Sequence, residues 1–176
     1  MTTALEIPKL PGLPPTHSIL IAGIGNVFLG DDGFGVAVAR RLATHALSDG
    51  VRVEDFGIRG FDLAFALAGS GDTAILVDAT RRGEPPGTLY VLELDLGLPA
   101  ADAIDLDTHG MNPANVLRLV TALGGRSGRV FLVGCEPSDA DADGGDLPGL
   151  SRPVESAIDG AIELVETLVA RIREGG

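Results

Sequence analysis

Ser18-Ile19-Leu20-Ile21-Ala22-Gly23-Ile24-Gly25-Asn26-Val27-Phe28-Leu29-Gly30-Asp31-Asp32-Gly33-Phe34-Gly35 opens as an apolar run of strand length, which Gly23 and Gly25 interrupt. Two adjacent carboxylates, Asp31 and Asp32, then stand where a helix is expected to begin. In an open α/β sheet, ligands gather beyond the carboxyl ends of the strands. The first βα turn therefore carries two acids to the expected working edge. A carboxylate near a helix N-terminus gains only about 0.3–1 kcal/mol. Two like charges about 4 Å apart cost about 4 kcal/mol at an effective dielectric near 20. If a third acid converges there, the site is expected to hold a proton or a cation.

Outward from this turn, the periodicity predicts a strand at 18–22 and a helix at 32–47. In that helix Val36, Ala39, Ala43 and Leu47 recur at helical spacing, while Arg40, Arg41 and His45 face water. Alternation predicts a second strand at 51–56, and a short helix follows at 61–68. Thr73-Ala74-Ile75-Leu76-Val77 reads as a buried strand ending on Asp78. A turn through Pro85 and Pro86 leads to a strand at 88–92. A link of about ten residues without helical pattern is too short for a parallel crossover, so this strand is expected to run antiparallel. Asn112 as N-cap and Pro113 at the first helical position predict a helix at 114–123. A fifth strand is expected at 129–135. Ser151 is expected to cap a last helix with an apolar stripe through Val154, Ile158, Ile162, Val165, Leu168, Val169 and Ile172.

The β-α-β-α-β-β-α-β-α order predicts a single three-layer α/β/α domain over 18–176, around a mostly parallel five-stranded sheet with one antiparallel strand. A Pro-rich arm, 1–17, precedes it, and an acidic, glycine-rich loop is expected at 138–149. With 176 residues and 45% hydrophobic content, the chain can bury a sizeable core, and no apolar run approaches membrane-spanning length. A net charge of −12 argues against nucleic acid and anionic lipid as partners. No secretory signal is visible, so the cytoplasm is the expected location.

Three positions could carry chemistry from one edge: Asp31 or Asp32, Asp78, and His109. Carboxylate oxygens with an imidazole suit a borderline divalent ion such as nickel or zinc. Each also has a plainer reading: Asp31 or Asp32 as a helix N-cap, Asp78 as a turn residue, His109 as a solvated loop side chain. A dinucleotide fingerprint fails because Phe28 stands where glycine is required, and no phosphate loop is present. Cys135, the single cysteine, closes an apolar run and reads as core rather than nucleophile.

Gly23-Ile24-Gly25-Asn26-x-x-Leu29-x-Asp31-Asp32-Gly33-x-Gly35 resembles the opening motif of hydrogenase maturation proteases. The resemblance continues, in the family's order, through Asp55-Phe56-Gly57, Leu76-Val77-Asp78-Ala79, Pro86-Gly87-Thr88, Thr108-His109-Gly110-Met111, Val133-Gly134-Cys135-Glu136-Pro137 and Leu150-Ser151-x-Pro153-Val154. It implies an endopeptidase that trims a C-terminal extension from the large-subunit precursor of a nickel–iron hydrogenase. It implies Asp32, Asp78 and His109 as the metal-contacting and catalytic triad, with the nickel arriving inside the substrate rather than held at rest. It further implies that Asn26 belongs to the first turn's structural signature, and that Asp55 and Gly57 flank the cleft. Asp31 is taken as a substrate-binding or supporting neighbour of the triad. Some relatives carry Glu where Asp32 stands, and the Pro-rich arm is not part of the family pattern. Two other readings stay open at this point. Asp32 and Asp78 could share a proton as an acid–base pair, or the chain could be a non-catalytic protein that checks metal loading of the large subunit.

Overall fold

The apolar run after Ser18 forms strand β1, Ile19–Ile24, buried along its whole length. The computed structural model describes residues 18–70, 73–94, 113–125, 128–138 and 149–174. The Pro-rich arm, His109 with its flanking motif, Asn112 and nearly all of the acidic 138–149 stretch lie outside the described residues.

Four further strands flank β1: β2 (Val51–Gly57), β3 (Thr73–Ala79), β4 (Leu89–Leu94) and β5 (Val130–Cys135). The sheet order is β2-β1-β3-β5-β4. The β1–β2, β1–β3 and β3–β5 pairs are parallel, and β4 runs antiparallel to β5, as the short link predicts. The three central strands β1, β3 and β5 are covered on both faces, which is why their sequences read as nearly continuous apolar runs.

Alternate residues of β1 serve different layers. Ile19 and Ile21 pack with Phe34, Val38 and Leu42 of helix α1 (Phe34–Leu42) and with Val154, Ile158, Ile162 and Val165 of α4 (Arg152–Glu174). Leu20, Ala22 and Ile24 face the opposite layer, where Leu63, Ala64 and Leu67 of α2 (Gly60–Ser70) meet Val116, Leu117 and Val120 of α3 (Pro113–Ala122). The three-layer α/β/α arrangement follows from that alternation.

Two expectations about α1 need correction. The helix does not begin at Asp32: a single 3₁₀ turn, Gly30–Gly33, precedes it, and no side chain caps either segment. Nor does it reach residue 47. After Leu42 the chain tightens, with the Thr44 and His45 N–H groups bonding back three residues to Arg41 and Leu42. The Thr44 hydroxyl also donates to the Arg41 carbonyl (2.7 Å), supplying a partner for a carbonyl at the helix end. Ala43 is consequently exposed rather than inward.

The start of α1 is wedged against the sheet. A Cβ at Gly35 would run into the carbonyl oxygens of Val77 and Ile24, backbone atoms that cannot swing aside. Gly69, in α2, has nothing within 4 Å of the same added carbon. Gly35→Ala is therefore expected to cost about 3 kcal/mol, while Gly69→Ala gains about 0.5–1 kcal/mol from helix propensity. Urea-denaturation midpoints of the two variants check this pair of opposite signs.

Candidate active site

From β1 the chain moves to β2 on one side and then to β3 on the other, so the sheet reverses its order between β1 and β3. Such a reversal splays the following loops and leaves a crevice beyond the strand ends. The turn after β1 carries Asp31 and Asp32, and Asp78 lies near the end of β3. Both of those sequence candidates therefore reach this edge. His109, the third, lies outside the described residues.

The turn is fixed by backbone geometry before any acid is considered. Gly25 has φ of +123°, and a Cβ there would collide with the Asp32 carbonyl oxygen. Its N–H donates to the Gly57 carbonyl (3.0 Å), tying the turn to the end of β2. The Asn26 side-chain oxygen accepts the Phe28 N–H (3.0 Å), which holds the bend as an Asx turn. The Asn26 N–H donates to Asp32 Oδ2 at 2.6 Å, so the turn orients one oxygen of that carboxylate.

Asp31 and Asp32 play different parts, and neither caps a helix. Asp31 is fully buried and accepts the Ser138 N–H (2.8 Å), the Ser151 N–H (2.6 Å) and the Ser151 hydroxyl (2.8 Å). Ser151 stands immediately before α4, where the sequence places the cap. Its carbonyl takes the Glu155 N–H (2.8 Å), while its hydroxyl goes to the stronger, charged acceptor. Asp32 is half-buried.

Asp78 is 4% exposed, and its pKa is pushed up to about 8. Burial is the main cause and the charge of Asp32 adds to it, against the opposing Thr80 hydroxyl (3.2 Å) and Ala79 N–H. That charge effect places Asp32 and Asp78 within electrostatic reach of each other. Burial withholds water from Asp78, and few donors replace it. At neutral pH its carboxyl keeps a proton.

A supporting network reaches Asp78 from the far edge of the sheet, and sequence reasoning did not find it. The Tyr90 hydroxyl of β4 donates to the Thr80 carbonyl (2.9 Å), and Thr80 in turn holds Asp78. Tyr90 lies opposite Gly134 in register, and the Arg82 guanidinium covers its ring at 4.6 Å. Glu136, also buried, accepts the N–H groups of Arg82 (2.7 Å) and Gly83 (3.2 Å). Burial alone would raise its pKa, but those donors, the Glu84 N–H and the Arg81 charge hold it below the usual value. The only signal in the sequence was the Gly134-Cys135-Glu136 match itself. Cys135 is buried, as expected for core, and burial with the charges of Asp31 and Glu136 pushes its thiol up to about 12. A thiolate nucleophile at neutral pH is not available there.

Asp55 and Gly57 close β2 beside the turn. Asp55 Oδ2 accepts Arg40 Nε at 2.9 Å, and the Arg59 guanidinium donates to the Asp55 carbonyl. Between this corner and the Asn26 turn lies an open groove of about 320 Å³.

Two consequences are measurable. Asp31→Ala removes the acceptor from three donors at once, and is expected to cost about 2–4 kcal/mol in denaturant titration. Asp78 binds a proton more tightly folded than unfolded. Its contribution to stability is full below about pH 4 and is lost as pH rises toward 8. Melting temperatures between pH 5 and pH 8 should fall in the parent protein, and fall less in Asp78→Asn.

Comparison with known proteins identifies the family. The family model for hydrogenase maturation protease, HycI, matches residues 36–168. The hydrogenase expression/formation protein HupD of Rhizobium leguminosarum bv. viciae is 35% identical over 173 residues, covering 98% of this chain and 82% of HupD. Among solved structures, the hydrogenase 2 maturation peptidase from Thaumarchaeota archaeon SCGC_AB-539-E09 superposes with a TM-score of 0.65 at 30% identity, covering 87% of this chain and 98% of that one. The hydrogenase maturating endopeptidase HybD from E. coli gives 0.64 at 27% identity, covering 90% and 94%. With the family model matching 36–168 and a relative 35% identical over 98% of its length, this chain belongs to the hydrogenase maturation protease family and is a hydrolase, an endopeptidase of hydrogenase maturation.

Proposed function

We propose that this protein removes the C-terminal extension from a nickel-loaded large-subunit precursor of a nickel–iron hydrogenase, in the cytoplasm, with Asp32, Asp78 and His109 sensing the nickel that the substrate carries. The single observation behind this reading is the environment of Asp78: a buried carboxyl, under the field of Asp32, that retains its proton to about pH 8. A site with that balance accepts a divalent cation by giving up a proton, and does so poorly when no cation arrives. The donor chemistry suits the role, since two carboxylates and an imidazole match a borderline ion such as nickel.

In this reading Asp32, oriented by the Asn26 N–H, faces the substrate. Asp78 is steadied by the Thr80 hydroxyl and releases its proton as the loaded precursor docks. His109 supplies the nitrogen donor. The substrate's nickel would polarise the scissile carbonyl or lower the pKa of an attacking water. Asp55 and Gly57 hold the neighbouring corner that the precursor passes.

The same observation favours one variation. A buried, protonated Asp78 beside the carboxyl of Asp32 suits an aspartic-type pair, one acting as acid and one as base, with nickel used for recognition alone. A pH–rate profile unchanged when another divalent ion replaces nickel in the precursor favours that pair.

Incubation with nickel-loaded and nickel-free precursor, followed by mass analysis of the large subunit, tests the proposal. Loss of a C-terminal peptide is expected in the loaded sample alone. Asp32→Asn, Asp78→Asn and His109→Ala should each lower kcat/KM by about 100-fold or more. Full trimming by His109→Ala would remove the triad from the mechanism. Tight association without any change of mass would make the protein a loading sensor instead. Affinity for the loaded precursor should also rise with pH up to about 8, because binding displaces the Asp78 proton.

A further inference from the structure

Six of the nine large apolar side chains left exposed among the described residues belong to two neighbouring corners of the chain: Val27, Phe28 and Leu29 after β1, and Ile58, Phe61 and Phe65 after β2. Phe28 is 83% exposed and Ile58 65%. Water solvates such groups at a free-energy cost, and a monomer that concentrates them on one face is usually offering an interaction surface. The two corners face each other across the groove beside the Asn26 turn. Val27, Phe28 and Ile58 line it, with the buried Phe56 and Val36 beneath.

Three features define what would fill it. The groove shares Gly25 and Asn26 with the turn that orients Asp32, so its occupant is continuous with whatever lies at the carboxylates. About 320 Å³ is at the small end of binding pockets, enough for a few side chains of an extended segment and too small for a folded element. Its charged groups already answer one another: Arg40 pairs with Asp55 at 2.9 Å, and Arg59 donates to the Asp55 and Phe56 carbonyls and lies 3.6 Å from Asp62. The lining thus asks for apolar side chains rather than a charged partner.

We infer that this groove binds an extended, apolar segment of the precursor next to the scissile bond, with Phe28 and Ile58 gripping it from opposite walls. Phe61 and Phe65, four residues apart on one face of α2, extend the contact outward onto the body of the large subunit. The inference rests on the proposed substrate, and it adds where and by what chemistry that substrate is held.

The test is a direct binding titration of purified nickel-loaded precursor against the full chain, beside the trimming assay. Phe28→Ser combined with Ile58→Ser should raise Kd by about tenfold or more, because both anchors lose buried apolar area. Both residues are exposed in the free protein, so the melting temperature should move by no more than about 2 °C. Val91→Ser, an exposed apolar position on β4, is the control and should leave Kd unchanged. A folded Phe28/Ile58 double variant with parental Kd overturns the groove assignment and leaves the proposed function standing. An equal loss in Val91→Ser overturns it as well, by showing that any apolar surface serves. Failure of the parent chain either to bind or to trim the loaded precursor overturns the proposed function, and the groove assignment with it.

Discussion

A carboxylate with no exposed surface ties together the working edge of this sheet. Asp31 accepts hydrogen bonds from two serines more than a hundred residues further along the chain, Ser138 after β5 and Ser151 before α4. A buried charge without partners would be strongly unfavourable, so the folded state requires those donors to arrive together. Their arrival fixes the 3₁₀ turn, and the turn fixes the neighbouring Asp32. The site's precision thus comes from contacts between segments distant in sequence, brought together by the parallel sheet beneath them.

Asp31 and Asp78 show how far environment outweighs residue type. Both are buried carboxylates at the same edge. Asp31 meets three donors and acts as a fastening. Asp78 meets a hydroxyl at 3.2 Å and a backbone N–H, and has the charge of Asp32 within reach. One acid is anchored in place; the other is left protonated by its burial and by the charge of Asp32. A layer of support from β4, running from Tyr90 through Thr80, carries the antiparallel edge strand's influence to Asp78 two strands away.

The exposed apolar corners follow the same logic from the other side. Phe28 and Ile58 stay exposed in the free protein, in the turns after β1 and β2. An enzyme whose substrate is itself a protein can leave their burial to the complex. The turn that orients Asp32 then also lines the exposed apolar groove.

Much of this was legible in the residues. Apolar runs gave the strands because central parallel strands are covered on both faces, and the nine-residue link after β3 was too short for a parallel crossover, so β4 runs antiparallel beside β5. The stripe on α4 and the burial of Cys135 followed from spacing and composition. Asp32 and Asp78 could be placed at one edge, because strand ends in this architecture share a side, and the ordered motifs pointed to the family. Other features needed the fold. The sequence could not show that α1 stops at Leu42, that the Ser151 hydroxyl leaves its helix for Asp31, that Glu136 and Tyr90 brace the site, or which of two adjacent aspartates is the fastening. Those outcomes depend on which donors a folded chain delivers to each carboxylate and how much water it takes away. Local pattern records periodicity and turn chemistry, whereas desolvation and long-range hydrogen bonding exist only once distant segments meet.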